Sequence, residues 1–316
     1  MSSLLDNIVS NINFPNLGIE LHNLSSGISV FGFRIAFYGM VIGFGMLCGY
    51  LIATWMAKRT GQNPEFYMDF ALVAIIASVI GARIYYVIFA WDEFKDNPIS
   101  VFNLRTGGLA IYGGIIVAII TAIIYARIRK YSFWLLADTG CIGLITGQMI
   151  GRWGNFFNRE AFGKYTDGIF AMQVDRRVVS GVFQDSISVD QLQRMYDGKP
   201  KALQRILEIR NHISTVDGVQ YIQVHPTFLY ESLWNLCLLI ILVLYTKHKK
   251  FDGEVMLLYL LGYGIGRVWM EGLRTDQLFL WGTPFAVSQL LSALLVVGAI
   301  SIMIYKRIKL TKLKQI

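Results

Sequence analysis

Residues 151–163 read GRWGNFFNREAFG and follow an apolar run that ends at Ile150. In this short span Arg152, Asn155, Asn158, Arg159 and Glu160 are interleaved with Gly151, Gly154, Gly163 and the aromatic residues Trp153, Phe156 and Phe157. Glycine admits close approach of backbone or ligand. Aromatic rings settle at the level of lipid headgroups, and arginine presents a planar fork of donors that matches phosphate or carboxylate. Two readings fit the stretch taken alone. One is the capped end of a membrane helix with an aromatic belt and a surface ion pair; the other is a ligand site at a membrane boundary. Its surroundings decide between them.

Working outward, hydrophobic residues make up 54% of the 316 and charged residues 16%, and the mean hydropathy is +0.49. Hydrophobicity this high, arriving in long blocks, places the chain among all-α integral membrane proteins. The net charge of +8 does not mark a nucleic-acid binder, because the basic residues cluster between apolar blocks in the manner of cytoplasmic loops. Cys48, Cys141 and Cys237 all lie inside apolar segments and read as small buried hydrophobes. Residues 1–30 hold no basic stretch followed by an apolar one, so no cleavable signal peptide is expected.

A spanning helix needs roughly 20 mostly apolar residues. About seven stretches qualify: 33–56, 68–90, 109–126, 133–151, 227–246, 254–272 and 284–305. Lys58 and Arg59 follow the first, Arg127, Arg129 and Lys130 the third, and Lys247, Lys249 and Lys250 the fifth. Lys306, Arg307, Lys309, Lys312 and Lys314 follow the last. The alternate loops are poorer in basic residues, so the positive-inside rule predicts an outward N-terminus and a cytoplasmic C-terminus. Residues 164–226 form the one long polar insertion, on the outer side. The alternating stretches 170–174 and 221–224, together with a helix-like 189–211, predict a small mixed cap within a single catalytic domain spanning 1–316.

Charged groups at membrane depth are costly and mark functional sites. At about 1.5 Å per helical residue, Arg83 lies roughly 22 Å across from the cytoplasmic entry of the second span. Arg267 lies about 20 Å across the sixth, with Glu271 a turn further out. Tyr38 and Arg34 open the first span, Tyr112 the third, and His225, Tyr230 and Glu231 the fifth, all toward the outside. Arg152, Asn155 and Glu160 leave the fourth span at the same level. Polar groups from at least six segments thus gather in one layer, the outer leaflet. Arg34 and Arg105 read as interfacial anchors, and Asp138 as a cap or anchor at the cytoplasmic side. Arg267, Glu271 and Arg274 are spaced i, i+4, i+7 on one helix face. The excess of arginine points to an anionic ligand, and at this depth the candidates are phospholipid headgroups, with arginine on phosphate and Asn and Tyr on glycerol hydroxyls. The four histidines lack paired ligand spacing, so no metal or other cofactor is expected.

GRWGNFFNREAFG closely resembles the signature of the prolipoprotein diacylglyceryl transferases. FRIAFYGM at 33–40, GARIYYVIF at 81–89, HPTFLYES at 225–232 and GYGIGRVWMEGLR at 262–274 resemble further elements of that family. The resemblance implies a bacterial enzyme of the cytoplasmic (inner) membrane. It would move the diacylglyceryl group of phosphatidylglycerol to the lipobox cysteine of a preprolipoprotein signal peptide, forming a thioether and releasing glycerol phosphate. It also implies that Arg152 and Arg267 hold the phosphate, with Asn155, Asn158, Glu160, Glu271, Arg83, Tyr230 and His225 around the headgroup and Tyr38 beside the lipid. Tyr112 stands where well-studied members carry a histidine proposed as the base. Tyrosine, with a reference pKa of about 10, is a weak base near neutral pH, so a hydrogen-bonding role is the alternative for this position. A transporter would place its site near the midplane between related halves. Another phospholipid-modifying membrane enzyme would want a histidine pair or an intramembrane histidine, and neither pattern is present.

Overall fold

The long helices follow the apolar blocks, because a chain in lipid must satisfy its backbone polar groups internally. The computed structural model describes residues 10–313 apart from 32, 105, 106, 180, 276, 278 and 280–285. Arg105 and the first two positions of the 284–305 stretch lie outside the described residues. The helices are α1 (Phe37–Arg59), α2 (Pro64–Phe89), α3 (Ile111–Ile128), α4 (Phe133–Asn158), α7 (Thr227–Tyr245), α8 (Glu254–Glu271) and α9 (Val287–Leu313). Two short helices, α5 (Val189–Met195) and α6 (Pro200–Asn211), lie in the insertion. Six of the long helices are long and apolar enough to cross a membrane. The remaining one, α8, has 18 residues but carries Glu254, Arg267 and Glu271.

Helix α9 runs to Leu313 rather than 305 and α2 starts at Pro64 rather than 68, and two further boundaries differ near the polar layer. Residues 33–36 are strand, so Arg34 sits ahead of α1 and donates its Nη2 to Ser26 Oγ at 2.6 Å. At the other end α4 runs two turns past 151, which makes Gly151, Arg152, Trp153, Gly154 and Asn155 helical. The helix-like 189–211 is split, because Pro200 occupies the first turn of α6 and disfavours a helical residue before it.

Strands β1 (Ser10–Phe14), β2 (Ile19–Leu24), β3 (Gly27–Val30) and β4 (Phe33–Ala36) precede α1. β5 (Met172–Asp175), β6 (Ser214–Val216) and β7 (Val219–Val224) lie in the insertion. A five-stranded antiparallel sheet runs β2-β1-β5-β7-β6, and β3 pairs with β4 separately. The cap sheet is therefore shared between the N-terminal arm and the insertion. Its core holds Ile12, Phe14, Val174, Ile222 and Val224 from the strands, with Leu192, Ile206 and Ile209 from α5 and α6. Burying these side chains removes apolar area from water and fixes register.

The chain clusters into two compact units. The first comprises Met1–Cys48, Leu144–Tyr245 and Leu257–Ile316. It holds the cap and most of the expected polar layer. The second comprises Gly49–Gly143 and Thr246–Met256. Within it Ala57, Phe66, Tyr67, Ala126 and Leu136 form a core, and Asp138 accepts from the amides of Gly253 and Met256 at 2.9 Å each and from Lys249 Nζ at 3.1 Å. Asp138 thus caps the start of α8 and not, as expected, its own helix α4.

Candidate active site

The last turns of α4 bring Arg152 and Asn155 onto one face, three residues apart. The helix ends at Asn158 because the chain turns left-handed at Arg159 (φ 52°) and again at Ala161 (φ 57°). Such conformations cost about 1–3 kcal/mol for residues with a Cβ and persist only where neighbours hold them. Here Arg159 donates to Phe157 O at 2.6 Å and Leu24 O at 2.5 Å. Glu160, between the two turns, folds back so that its Oε1 accepts from Asn155 and Asn158 Nδ2, each at 3.1 Å.

Beyond Glu160 the chain is laced to two other segments. Gly163 N donates to His225 O at 2.9 Å, His225 N to Lys164 O at 3.0 Å, and Lys164 N to Leu273 O at 2.9 Å. Thr227 Oγ1 donates to Ala161 O. A side chain at 163 would meet His225 Cβ at 2.8 Å and Leu273 O at 3.2 Å, so only glycine fits. Residue 163 therefore brings the signature, the start of α7 and the exit of α8 to one place.

Glu231, one turn into α7 and buried, is the centre of what they enclose. Its Oε2 lies 2.8 Å from Arg152 Nε, both its oxygens lie 3.3 Å from Arg267 Nη1, and its Oε1 lies 4.0 Å from Arg274 Nη1. Arg267 Nη2 also pairs with Glu271 Oε2 at 2.6 Å, without the alignment of a hydrogen bond. Three guanidinium groups thus gather around one buried carboxylate, with a second beside them. Among the described residues the Nη groups of Arg152 have no partner. A guanidinium held by its Nε edge keeps the paired Nη donors that match phosphate or carboxylate.

The family model described as prolipoprotein diacylglyceryl transferase matches residues 26–305. The chain belongs to the prolipoprotein diacylglyceryl transferase family. Proteins named phosphatidylglycerol–prolipoprotein diacylglyceryl transferase from Bacillus mycoides and Bacillus cereus are similar to it at 39% and 40% identity. Each match runs over 275 residues, 87% of this chain and 89% of the relative. With six helices apt to cross a membrane, this prolipoprotein diacylglyceryl transferase family member is a multi-pass membrane transferase.

The transferase's other expected site residues fall in several places. Tyr38 stands in the first turn of α1, against Gly154, where an added Cβ would lie 2.8 Å from its ring. His225 Nδ1 is 3.2 Å from the Tyr230 hydroxyl. Burial first, and then the Lys164 charge, lower the His225 pKa, so its imidazole is neutral near pH 7. Arg83 and Tyr112 belong to the second unit. Arg83 is buried and gives all five of its hydrogens to carbonyls: Nε to Val101, Nη1 to Gly107 and Gly108, and Nη2 to Ser100 and Asn103. No donor is left for a headgroup. Tyr112 lies in the first turn of α3 and is 39% exposed. Arg274 lies past the end of α8, which stops at Glu271, so the expected single helix face is instead a helix end plus a turn. The central place of Glu231 is not legible in the sequence. Its signals there are its place in the outer polar layer and within HPTFLYES, neither of which marks it as the centre.

Proposed function

We propose that the arginine cluster about Glu231 binds the phosphodiester of phosphatidylglycerol and stabilises the departing glycerol phosphate. The observation that carries this is one buried carboxylate drawing three arginines together while Arg152 keeps two donor groups unengaged. The protein transfers the diacylglyceryl group to the lipobox cysteine of a preprolipoprotein, the first step of lipoprotein maturation. The cysteine gives up its proton to solvent, and the resulting thiolate attacks the glyceryl carbon bonded to the phosphate oxygen. A C–S bond forms, the C–O bond breaks, and its electron pair leaves with glycerol phosphate. Negative charge grows on that phosphate as the bond breaks, so fixed guanidinium donors bind the transition state more tightly than the lipid.

In this reading Arg152 and Arg267 contact phosphate, and Glu231 and Glu271 hold them in place. Asn155, Asn158 and Glu160 form a hydrogen-bonded rim for the glycerol, and His225 and Tyr230 add a neutral donor–acceptor pair. Tyr38 lies beside the lipid. Arg83 is left out because five carbonyls fill its donors. Tyr112 is assigned by resemblance, as a hydrogen-bond donor, and the arginines themselves favour a thiolate by lowering a nearby thiol's pKa. Residues 1–316 act as one catalytic domain of the bacterial cytoplasmic membrane, its site toward the outer leaflet with the N-terminus outside and the C-terminus in the cytoplasm.

The test incubates purified protein with phosphatidylglycerol and a lipobox peptide and follows thioether formation and glycerol phosphate release by mass spectrometry. Folded wild-type protein that yields no thioether overturns the assignment. Arg152→Ala and Arg267→Ala are expected to abolish turnover while the protein stays folded; turnover within a few-fold of wild type would reduce both to membrane anchors.

A further inference from the structure

Helix α6 buries Ala202, Ile206 and Ile209, and Arg205 shares that inward stripe, three positions after Ala202 and four before Ile209. A charged group turned inward is costly unless its donors are matched. The acceptors that match it lie outside the insertion. Nη1 donates to Arg274 O at 2.6 Å and to Gln277 Oε1 at 2.9 Å, and Nη2 donates to Gly272 O at 2.8 Å. Gln277 turns its own amide back onto the carbonyl of Glu271. The last residue of α8 and the turn to Arg274 are thereby gripped as one piece.

That piece carries two members of the cluster. Glu271 pairs with Arg267, and Arg274 reaches Glu231. It is also tied from the signature side, by Lys164 N to Leu273 O at 2.9 Å, the bridge between Gly163 and Arg274, and Thr275 Oγ1 to Phe162 O at 3.3 Å. Arg205 is the counterpart from the insertion. We propose that Arg205 is a positioning residue for the transfer, setting the turn from which Glu271 and Arg274 reach the cluster, so that the insertion is a working part of the phosphate site. The proposal rests on reading that cluster as the phosphate site. Arg205 touches no reacting atom. Its loss leaves Arg152 and Arg267 on their own helices, so lipid binding persists while alignment suffers.

The test uses the full-length protein with phosphatidylglycerol vesicles and a lipobox peptide, and compares Arg205→Met, Gln277→Leu, the double variant and Arg210→Met. Arg210 sits on the same helix and donates Nη1 to Ile187 O at 2.9 Å, a carbonyl inside the insertion. Its substitution therefore removes a bond of the same kind with a different destination. Arg205→Met is expected to lower kcat about tenfold with KM for phosphatidylglycerol within about twofold, since small misplacements of catalytic groups act on rate. Gln277→Leu should act in the same direction, the double variant should be no worse than Arg205→Met, and Arg205→Lys should recover part of the rate. Arg210→Met should stay within about twofold of wild type. Equal losses in Arg205→Met and Arg210→Met, or additive losses in the double variant, would overturn the proposal. An inactive wild type would overturn the functional reading instead, and is seen before any variant is compared.

Discussion

Glu231 draws together arginines from separate places in the chain. A carboxylate offers about four lone-pair directions, and three guanidinium groups converge on it. Guanidinium forks gathered in this way also match a phosphate, which is why the cluster reads as a site rather than as an ion pair for its own sake. Two predictions concern single side chains outside this group. The first concerns His225, whose pKa is lowered by burial and by Lys164. The unfolded chain's histidine titrates near about 6.5, so the native state favours the neutral ring. That contribution to stability is fully present above about pH 6.5 and is lost as pH falls through the lower native value. Melting temperature in detergent, followed from pH 8 to pH 5, should therefore fall less in His225→Gln than in wild type. The second concerns Tyr112: Tyr112→Phe should lower turnover, and Tyr112→His should preserve or restore it. Equal loss in both would show that the position supplies shape and not a proton or a hydrogen bond. Arg152 and Arg267 are legible from the sequence because charges at membrane depth stand out. The way they meet is not, since the residue joining them lies on a third helix far along the chain.

At the scale of elements, the segment between α2 and α3 is folded onto a side chain. Arg83 serves five carbonyls between Ser100 and Gly108, and its guanidinium lies 5.0 Å from the Phe94 ring centre. Lysine has three donors on a compact ammonium and cannot match that fan. Arg83→Lys is expected to destabilise the protein by about 1–3 kcal/mol through carbonyls left unpaired, read by thermal unfolding, with KM for phosphatidylglycerol unchanged. A raised KM at unchanged stability would return Arg83 to the headgroup. The sequence assigns this arginine a depth, but depth does not reveal whether a donor faces a ligand or the chain's own backbone. Helix existence is legible throughout, because apolar runs of this length leave little alternative in lipid. Ends are less so. The signature's glycines suggest that α4 stops near 151, whereas packing against Tyr38 and Ile42 carries the helix on to Asn158. The strands ahead of α1 escape a sequence reading, as β1 finds its second partner in the insertion and no local pattern joins the two.

For the molecule as a whole, strand pairing constrains the path through the membrane. Ile12 of β1 pairs with Val174 of β5, and α1, α2, α3 and α4 lie between them in the chain. Four crossings return the chain to the side from which it began, in keeping with the alternation of basic loops. In a background with Cys48, Cys141 and Cys237 replaced by serine, Thr215→Cys in the insertion should react with an impermeant maleimide on intact cells. Lys58→Cys, at the end of α1, should react only after permeabilisation; the reverse pattern would invert the topology. The shared sheet also has a consequence for the order in which the protein is made. At about 5–20 residues per second, β5 follows β1 by roughly 8–30 seconds. Over that interval β1 has β2 on one side and an open edge on the other, the kind of edge that recruits wrong partners. The N-terminal hairpin is thus born first and finished late, and the cap closes only once the fourth helix is in place. A slow step in biogenesis is built into the architecture, and a lesion that delays α4 should expose the same edge for longer.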